Sequence, residues 1–183
     1  MNIFFISDTH FFHKNIIKYC ERPFSSVEEM NEHIVRVWNE RVGHQDVVYH
    51  LGDVIFGGRE KANTILPRLK GQKILVRGNH DQIKIVESHF TLAGNLVSIK
   101  PKNDLQIILC HFPLAVWENS HKGSYHFHGH SHGSLPSKGR RLDIGVDGFC
   151  KHYNYGPVSL EEIMEVMKAA EVYFPDNHRI NTN

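Results

Sequence analysis

Short apolar runs that close on polar clusters punctuate the first half of the chain. Residues 2–6 run into Ser7-Asp8-Thr9-His10, residues 46–51 into Gly52-Asp53, and residues 73–76 into Arg77-Gly78-Asn79-His80-Asp81. Runs of this length with polar residues at their C-terminal ends read as buried strands. Helical patterns lie between them. Ser26 stands as an N-cap with Glu29 at the capping-box position, and Met30, Ile34, Val37 and Trp38 follow at helical spacing. Residues 59–69 form a second, shorter helical pattern. Alternating strands and helices predict parallel βαβ units, whose ligands gather outside the carboxyl ends of the strands. The three polar strand ends are therefore expected to converge.

Beyond about residue 94 the pattern changes to strands without long helices between them. Residues 96–100 and 105–110 flank the turn-rich Pro101-Lys102-Asn103-Asp104, which predicts a hairpin. Residues 125–128 and 141–146 read as two further strands, the first ending at Gly129-His130-Ser131-His132. Ser159 and Glu162 form a capping-box pair that opens a last helix to about residue 170. The polar stretch 175–183 reads as a frayed tail. With no repeat or linker, the two halves are expected to form the two sheets of one α/β sandwich flanked by helices, a single domain over residues 1–174.

Composition narrows the class. A length of 183 residues suits one core, and 40% hydrophobic with 22% charged residues is a globular balance. The net charge of +1, from 21 basic and 20 acidic residues, supplies no global field toward nucleic acid or an anionic membrane. Cys20, Cys110 and Cys150 are few and far apart, and the N-terminus lacks a signal-peptide pattern, so a cytoplasmic location is expected. The anomaly is histidine: 15 are present, several beside aspartate, asparagine and glycine, a pattern that points to metal chemistry.

The candidate ligands fall in Asp8-Thr9-His10, Gly52-Asp53, Gly78-Asn79-His80-Asp81, Cys110-His111 and Gly129-His130-Ser131-His132. In that order they resemble the calcineurin-like metallophosphoesterase superfamily, with its D-x-H, GD, GNH plus acidic residue, H and GHxH pattern. The text around Asp8, the stretch Tyr49-His50-Leu51-Gly52-Asp53 and the closing Asp143-Ile144-Gly145-Val146-Asp147 resemble its small, compact bacterial and phage members.

The resemblance implies two divalent metal ions. Asp8, His10, Asp53 and His132 would hold one; Asp53, as the bridge, with Asn79, His111 and His130 would hold the other. Asp8 and His10, two apart on an extended strand end, are expected to point to one side. Oxygen and nitrogen donors without sulfur suit manganese first, with iron, zinc or nickel as alternatives. A hydroxide bridging the ions would attack phosphorus in line. His80 is the candidate to protonate the leaving oxygen, with Asp81 orienting its ring.

Other residues carry two readings each. His13 either touches the substrate phosphate or faces solvent, and Arg77 and Arg59 are candidate anion contacts. His50 is a candidate support for the ligands, whereas His126 and His128 read as buried strand histidines. The stretch Gly52-Asp53-Val54-Ile55-Phe56-Gly57-Gly58 places Phe56 and Gly57 where the protein Ser/Thr phosphatases of the superfamily have aspartate and arginine. A protein substrate is therefore disfavoured. The leading expectation is a phosphodiesterase for small organic phosphates or nucleotides. A nuclease or nucleic-acid end-processing phosphatase is the alternative, and a metal-binding module without catalysis the third reading. No membrane association is expected, and oligomeric state is left open.

Overall fold

The computed structural model describes residues 1–102 and 104–173. Position 174 of the expected domain and the expected tail 175–183 lie outside the described residues. The chain forms two mixed sheets flanked by helices, the expected α/β sandwich.

The first sheet contains β1 (Ile3–Ile6), β2 (Val47–His50), β3 (Gln72–Val76), β4 (Thr91–Gly94) and β9 (Val158–Ser159). Its order is β4-β3-β2-β1-β9, parallel throughout except for β9, which runs antiparallel to β1. The second sheet contains β5 (Leu96–Lys102), β6 (Leu105–Cys110), β7 (Tyr125–His128) and β8 (Arg141–Asp143). Here β5 and β6 form the expected antiparallel hairpin, and β6, β7 and β8 are parallel. Two short strands, β4 and β9, were not expected, and the strand anticipated over 141–146 ends at Asp143.

Helix α2 (Val27–Arg41) begins at Ser26, whose side chain accepts the Glu29 amide. The capping box is incomplete, because the Glu29 carboxylate turns to the amide and hydroxyl of Ser25. The helix buries Met30, Ile34, Val37 and Trp38, the apolar stripe read from the sequence, and the Trp38 indole donates to the Lys70 carbonyl at 2.9 Å. The expected 59–69 helix divides into α3 (Arg59–Ile65) and a 3-10 turn, Leu66–Arg68, that contains Pro67. Proline has no N–H for an interior helical bond. Two single-turn helices, α1 (Ile16–Tyr19) and α4 (Ile83–Val86), follow the polar ends of β1 and β3. The last helix, α5 (Leu160–Met167), has the full Ser159–Glu162 capping box and stops three residues before the expected end.

The sheets meet at Phe5 of β1 and Phe127 of β7, whose rings lie edge to face 5.2 Å apart. Both residues are fully buried, and β1 and β7 are central strands with side chains covered on both faces. The sheets are also stitched beyond the strand ends, where the Val146 amide donates to the Ser7 carbonyl at 3.0 Å. The segment between β6 and β7 runs past the outer side of β7. There Trp117 packs on His126 at 5.4 Å, and the Leu114 amide donates to His126 Nε2 at 3.0 Å. His126 Nδ1–H donates to the Ile108 carbonyl, and His128 Nδ1–H to the Gly129 carbonyl. Both imidazoles are buried hydrogen-bonding parts of the sheet, and burial holds their pKa values low, that of His126 at about 4. The carboxyl ends of β1, β2, β3, β6 and β7 are thereby brought to one edge of the sandwich.

Candidate metal centre

Every expected ligand follows the end of one of these strands: Asp8 and His10 after β1, Asp53 after β2, Asn79 after β3, His111 after β6, and His130 and His132 after β7. Asp8, His10, Asp53 and His111 are buried and form the floor, while Asn79 and His130 are exposed at the rim. His10 Nε2 lies 3.6 Å from Asp53 Oδ2 and 3.9 Å from Asp8 Oδ1. His132 Nε2 lies 3.9 Å from the same Asp8 oxygen. On the other side, His111 Nε2 is 3.4 Å from Asp53 Oδ2 and 2.9 Å from Asn79 Oδ1, and its ring is 5.1 Å from that of His130. The structure therefore brings all seven side chains into one connected cluster, with the Asp53 carboxylate between His10 and His111.

The backbone reaches this geometry by a different route from the expected one. Asp8 and His10 are not on an extended strand end: their φ angles are 58° and 48°, in the left-handed region. Asp53, His130 and His132 share it, at 58°, 66° and 47°. Each such residue costs on the order of 1 kcal/mol or more and persists where the surroundings over-determine it. Alternation along a strand therefore does not explain how Asp8 and His10 face one point; the left-handed turns do. Two glycines allow the close approach. A Cβ on Gly129 would lie 2.2 Å from Asp8 Oδ2, and one on Gly78 would lie 2.3 Å from Asp53 Oδ1.

The donor set suits a divalent cation. Asp8, His10 and His132 form one grouping whose ligand atoms lie within 4.8 Å of one another, and Asp8, Asp53 and His111 form another. Among the described residues the buried His10 Nε2 has no hydrogen-bond partner, an arrangement that is costly unless another group meets that nitrogen. The imidazoles are pre-aimed. His111 donates from Nδ1 to the Leu51 carbonyl at 2.7 Å, and His132 from Nδ1 to Asp147 Oδ2 at 2.7 Å, so both present Nε2 to the cluster. A third grouping, Cys20, His132 and Asp147, is less suited to an ion. Its aspartate is committed to His132 and Arg22.

The electrostatics are those of a crowded, dry polar cluster. Burial lifts the Asp8 carboxyl to about 7 despite the nearby His111 and His132. Burial acts in the same sense on Asp53, but its bonds to His111 and to the His80 amide outweigh it and hold the carboxyl at about 2. His10 is driven down to about 2 by burial, so it is a neutral nitrogen donor. Burial would lower His132 too, yet the bond to Asp147, with Cys20 and Asp8 nearby, raises it to about 10. A cation at His132 would therefore have to displace a proton.

The remaining expected residues divide. His80 stands half-exposed beside the cluster, with Nε2 3.9 Å from Asp53 Oδ2. Asp81 does not orient its ring. The Asp81 carboxylate instead accepts the amides of Asp53, Val54 and Gly78 at 2.8 to 2.9 Å, clamping the β2 and β3 loops together. His13 does reach the site, stacked on Phe56 at 3.9 Å with Nδ1 3.2 Å from His10 Nδ1. Arg59 is turned away and donates to the Lys84 carbonyl. Arg77 is exposed and does not line the cavity beside the cluster. His50 is buried below the site: it accepts the Gly52 amide at Nδ1, which places the proton on Nε2 facing Thr9 Oγ1 at 3.0 Å.

Sequence reasoning missed three supports. Arg22 donates to Asp147 through Nε and Nη2 and to the Asp8 and Thr9 carbonyls. Asp147 aims His132. Asp143 accepts the Ser131 hydroxyl and the Gly133 and Gly145 amides, fixing the loop that carries His130 and His132. The spacing of Asp143 and Asp147 was visible in the sequence, but a single buried arginine has no periodic signature.

The cluster opens on a cavity of about 870 Å³ lined by His10, His13, Phe56, His80, His130 and His132 together with Ile16, Tyr19, Cys20, Pro113 and Leu135. Among the described residues, neither lysine nor arginine lines it.

The chain is similar to archaeal, bacterial and phage proteins. An uncharacterized protein of Methanocaldococcus jannaschii is 35% identical over 179 residues, covering 93% of each chain. The gene 66 protein of Mycobacterium phage D29 is 25% identical, covering 93% of this chain and 98% of its own. The crystal structure of a protein of unknown function from Aquifex aeolicus superposes with a TM-score of 0.70 at 26% identity, covering 90% of this chain and 98% of that one. The profile of the calcineurin-like phosphoesterases matches residues 1–98, and the chain belongs to that family.

Proposed function

We propose that this metal-dependent phosphoesterase is a two-ion phosphodiesterase for small organic phosphates or nucleotides. The observation that carries the reading is the Asp53 carboxylate, set between His10 at 3.6 Å and His111 at 3.4 Å, beside the buried, unpartnered His10 Nε2. Asp8, His10, Asp53 and His132 would hold one ion, and Asp53, Asn79, His111 and His130 the other. Two such ions supply an activated water for in-line attack and neutralise charge on the phosphoryl oxygens. The donor set suits manganese first, then iron, zinc or nickel.

The chain's own residues set what remains. Asp81 holds the amides of Asp53 and Gly78, and so fixes the bridging carboxylate. His80, half-exposed at the cavity, is placed to give a proton to the departing oxygen. A wall to which the described residues bring neither lysine nor arginine favours a diester, with one negative charge, over a monoester dianion that would need further cations. The same wall disfavours an extended polynucleotide, whose flanking phosphates call for basic side chains. Phe56, stacked on His13, and Tyr19 offer flat faces to a base or other planar group. One hydrophobic cluster extending from Phe4 to Met167 supports a single domain over 1–174. Among the described residues no helix is long and apolar enough to cross a membrane. The unpaired cysteines support a cytoplasmic setting.

The test is a turnover screen of chelated protein reloaded with manganese, using a generic diester, a generic monoester, cyclic nucleotides and labelled single strands. Small-diester turnover restored by metal is expected. Strand degradation without small-diester turnover would transfer the assignment to a nuclease, and no turnover with any of the four metals would refute catalysis.

A further inference from the structure

We propose that Arg22 and Asp147 form a buried brace that sets the affinity of one metal position, the one faced by Asp8, His10 and His132, and leaves the other position largely alone. The inference rests on the two-ion reading above.

Arg22 is fully enclosed and Asp147 is 5% exposed. Two parallel bonds join them, Nε to Oδ1 at 2.8 Å and Nη2 to Oδ2 at 2.7 Å, the bidentate arrangement that fixes both planes. Each partner then extends toward the metal cluster in a different direction. Nη2 and Nη1 of Arg22 donate to the carbonyls of Asp8 and Thr9 at 2.8 and 3.1 Å. These carbonyls belong to the left-handed turn that aims Asp8 and His10. Asp147 Oδ2 also accepts Nδ1–H of His132 at 2.7 Å. A single ion pair thus couples the β1 loop to the β7 loop, segments more than a hundred residues apart in the chain.

The other metal position lacks this arrangement. Its His111 donates Nδ1–H to a neutral carbonyl, that of Leu51. A carboxylate behind a ligating imidazole fixes its tautomer and raises its basicity more than a carbonyl does, and loss of such a partner typically costs about 10- to 100-fold in metal affinity. The guanidinium pairs with both Asp147 oxygens and so keeps the carboxylate from turning into the cluster as a ligand itself. Arg22 and Asp147 are therefore positioning residues, acting on the metal through His132 and the Asp8 turn.

Asp147→Asn is isosteric and retains an acceptor oxygen; Arg22→Lys retains the charge but loses the fork. Manganese titration of metal-free wild type and of both variants, by calorimetry and by the free-ion electron-paramagnetic signal, reads each site directly without turnover. The expected result is two ions in the wild type, and in Asp147→Asn one ion weakened about 10- to 100-fold with the second within about threefold of wild type. Nitrogen-15 spectra should show a weakened His132 Nδ1–H hydrogen bond in the same variant. If Arg22→Lys does not fold, Asp147→Asn decides alone. Unchanged affinity at both sites, or equal weakening at both, would overturn the brace while leaving the two-ion reading standing. A wild type that takes up fewer than two ions would instead sink that reading, and the selective brace with it.

Discussion

Replacing Asp8 with asparagine in chelator-treated protein isolates a carboxylate whose burial opposes folding. Its pKa is raised from the ordinary 3.8 to about 7, first by burial, so between those values the unfolded chain releases a proton that the folded chain keeps. The unfolded state then binds fewer protons than the native state, and stability falls as pH rises through this window. At about 1.4 kcal/mol per unit the penalty is about 2 kcal/mol near pH 5 and about 4 kcal/mol near pH 8. Asparagine carries no charge at either pH. The variant should therefore gain on the wild type by about 2 to 3 kcal/mol between the two conditions, whatever constant offset the substitution introduces. Urea unfolding of both proteins at both pH values, in chelator, measures this as a double difference. Buried histidines that do not sense Asp8 cancel, and His111 and His132, which do, enter the double difference with it. Manganese should reverse the ranking, because an ion bound only by the folded wild type adds RT ln(1 + [L]/Kd). A double difference near zero, or one favouring the wild type, would refute the claim that this carboxylate is held in a desolvated site made for a cation.

Gly78→Ala places a Cβ 2.3 Å from Asp53 Oδ1 and 2.6 Å from the Asp53 amide nitrogen, so the Asp53 loop must shift; turnover measured at saturating manganese should fall about 100-fold while the fold survives by circular dichroism. His80→Ala should keep both ions and lose about 10²- to 10⁴-fold on substrates with poor leaving groups, with little loss on an activated aryl ester, which needs no proton. Equal losses on the two substrate types would count against the acid role. Thr9→Val removes the acceptor for the buried His50 Nε2–H and should cost about 1 to 3 kcal/mol in urea unfolding. Because burial holds His50 at about 3, well below its ordinary value, this neutral hydrogen bond persists across the neutral pH range.

The parts of the fold visible in the sequence were those with a periodic or capping signature. Residues 2–6, 46–51 and 73–76 announced β1, β2 and β3, and Ser26 and Ser159 marked the two longer helices, α2 and α5. The strands β4 and β9 were not visible: β4 is short and mostly exposed, and β9 has two residues and exists through its pairing with β1. The site was legible as residue types and poorly legible as geometry. That Asp8 and His10 face one point was read from their spacing on an extended strand end, but the backbone that achieves it is left-handed, which alternation cannot encode. Asp81 was singled out for its place after His80, yet its partners are three amides, two of them from the β2 loop, and main-chain partners leave no side-chain signature. Arg22 was overlooked because its contacts are long-range and include two carbonyls, again main chain.

The left-handed residues Asp8, His10, Asp53, His130 and His132 narrow the alphabet at these positions twice over. Apart from glycine, asparagine, aspartate and histidine are the residues most at ease at positive φ, and aspartate and histidine are also among the natural oxygen and nitrogen donors for a cation. Conformational tolerance and coordination chemistry thus select nearly the same letters. An alanine scan of these five positions would remove a donor and alter a backbone preference in one step, and would overstate the worth of the donor. Asparagine, at home in this region, changes the chemistry while leaving the turn intact, and is the better probe at each of them.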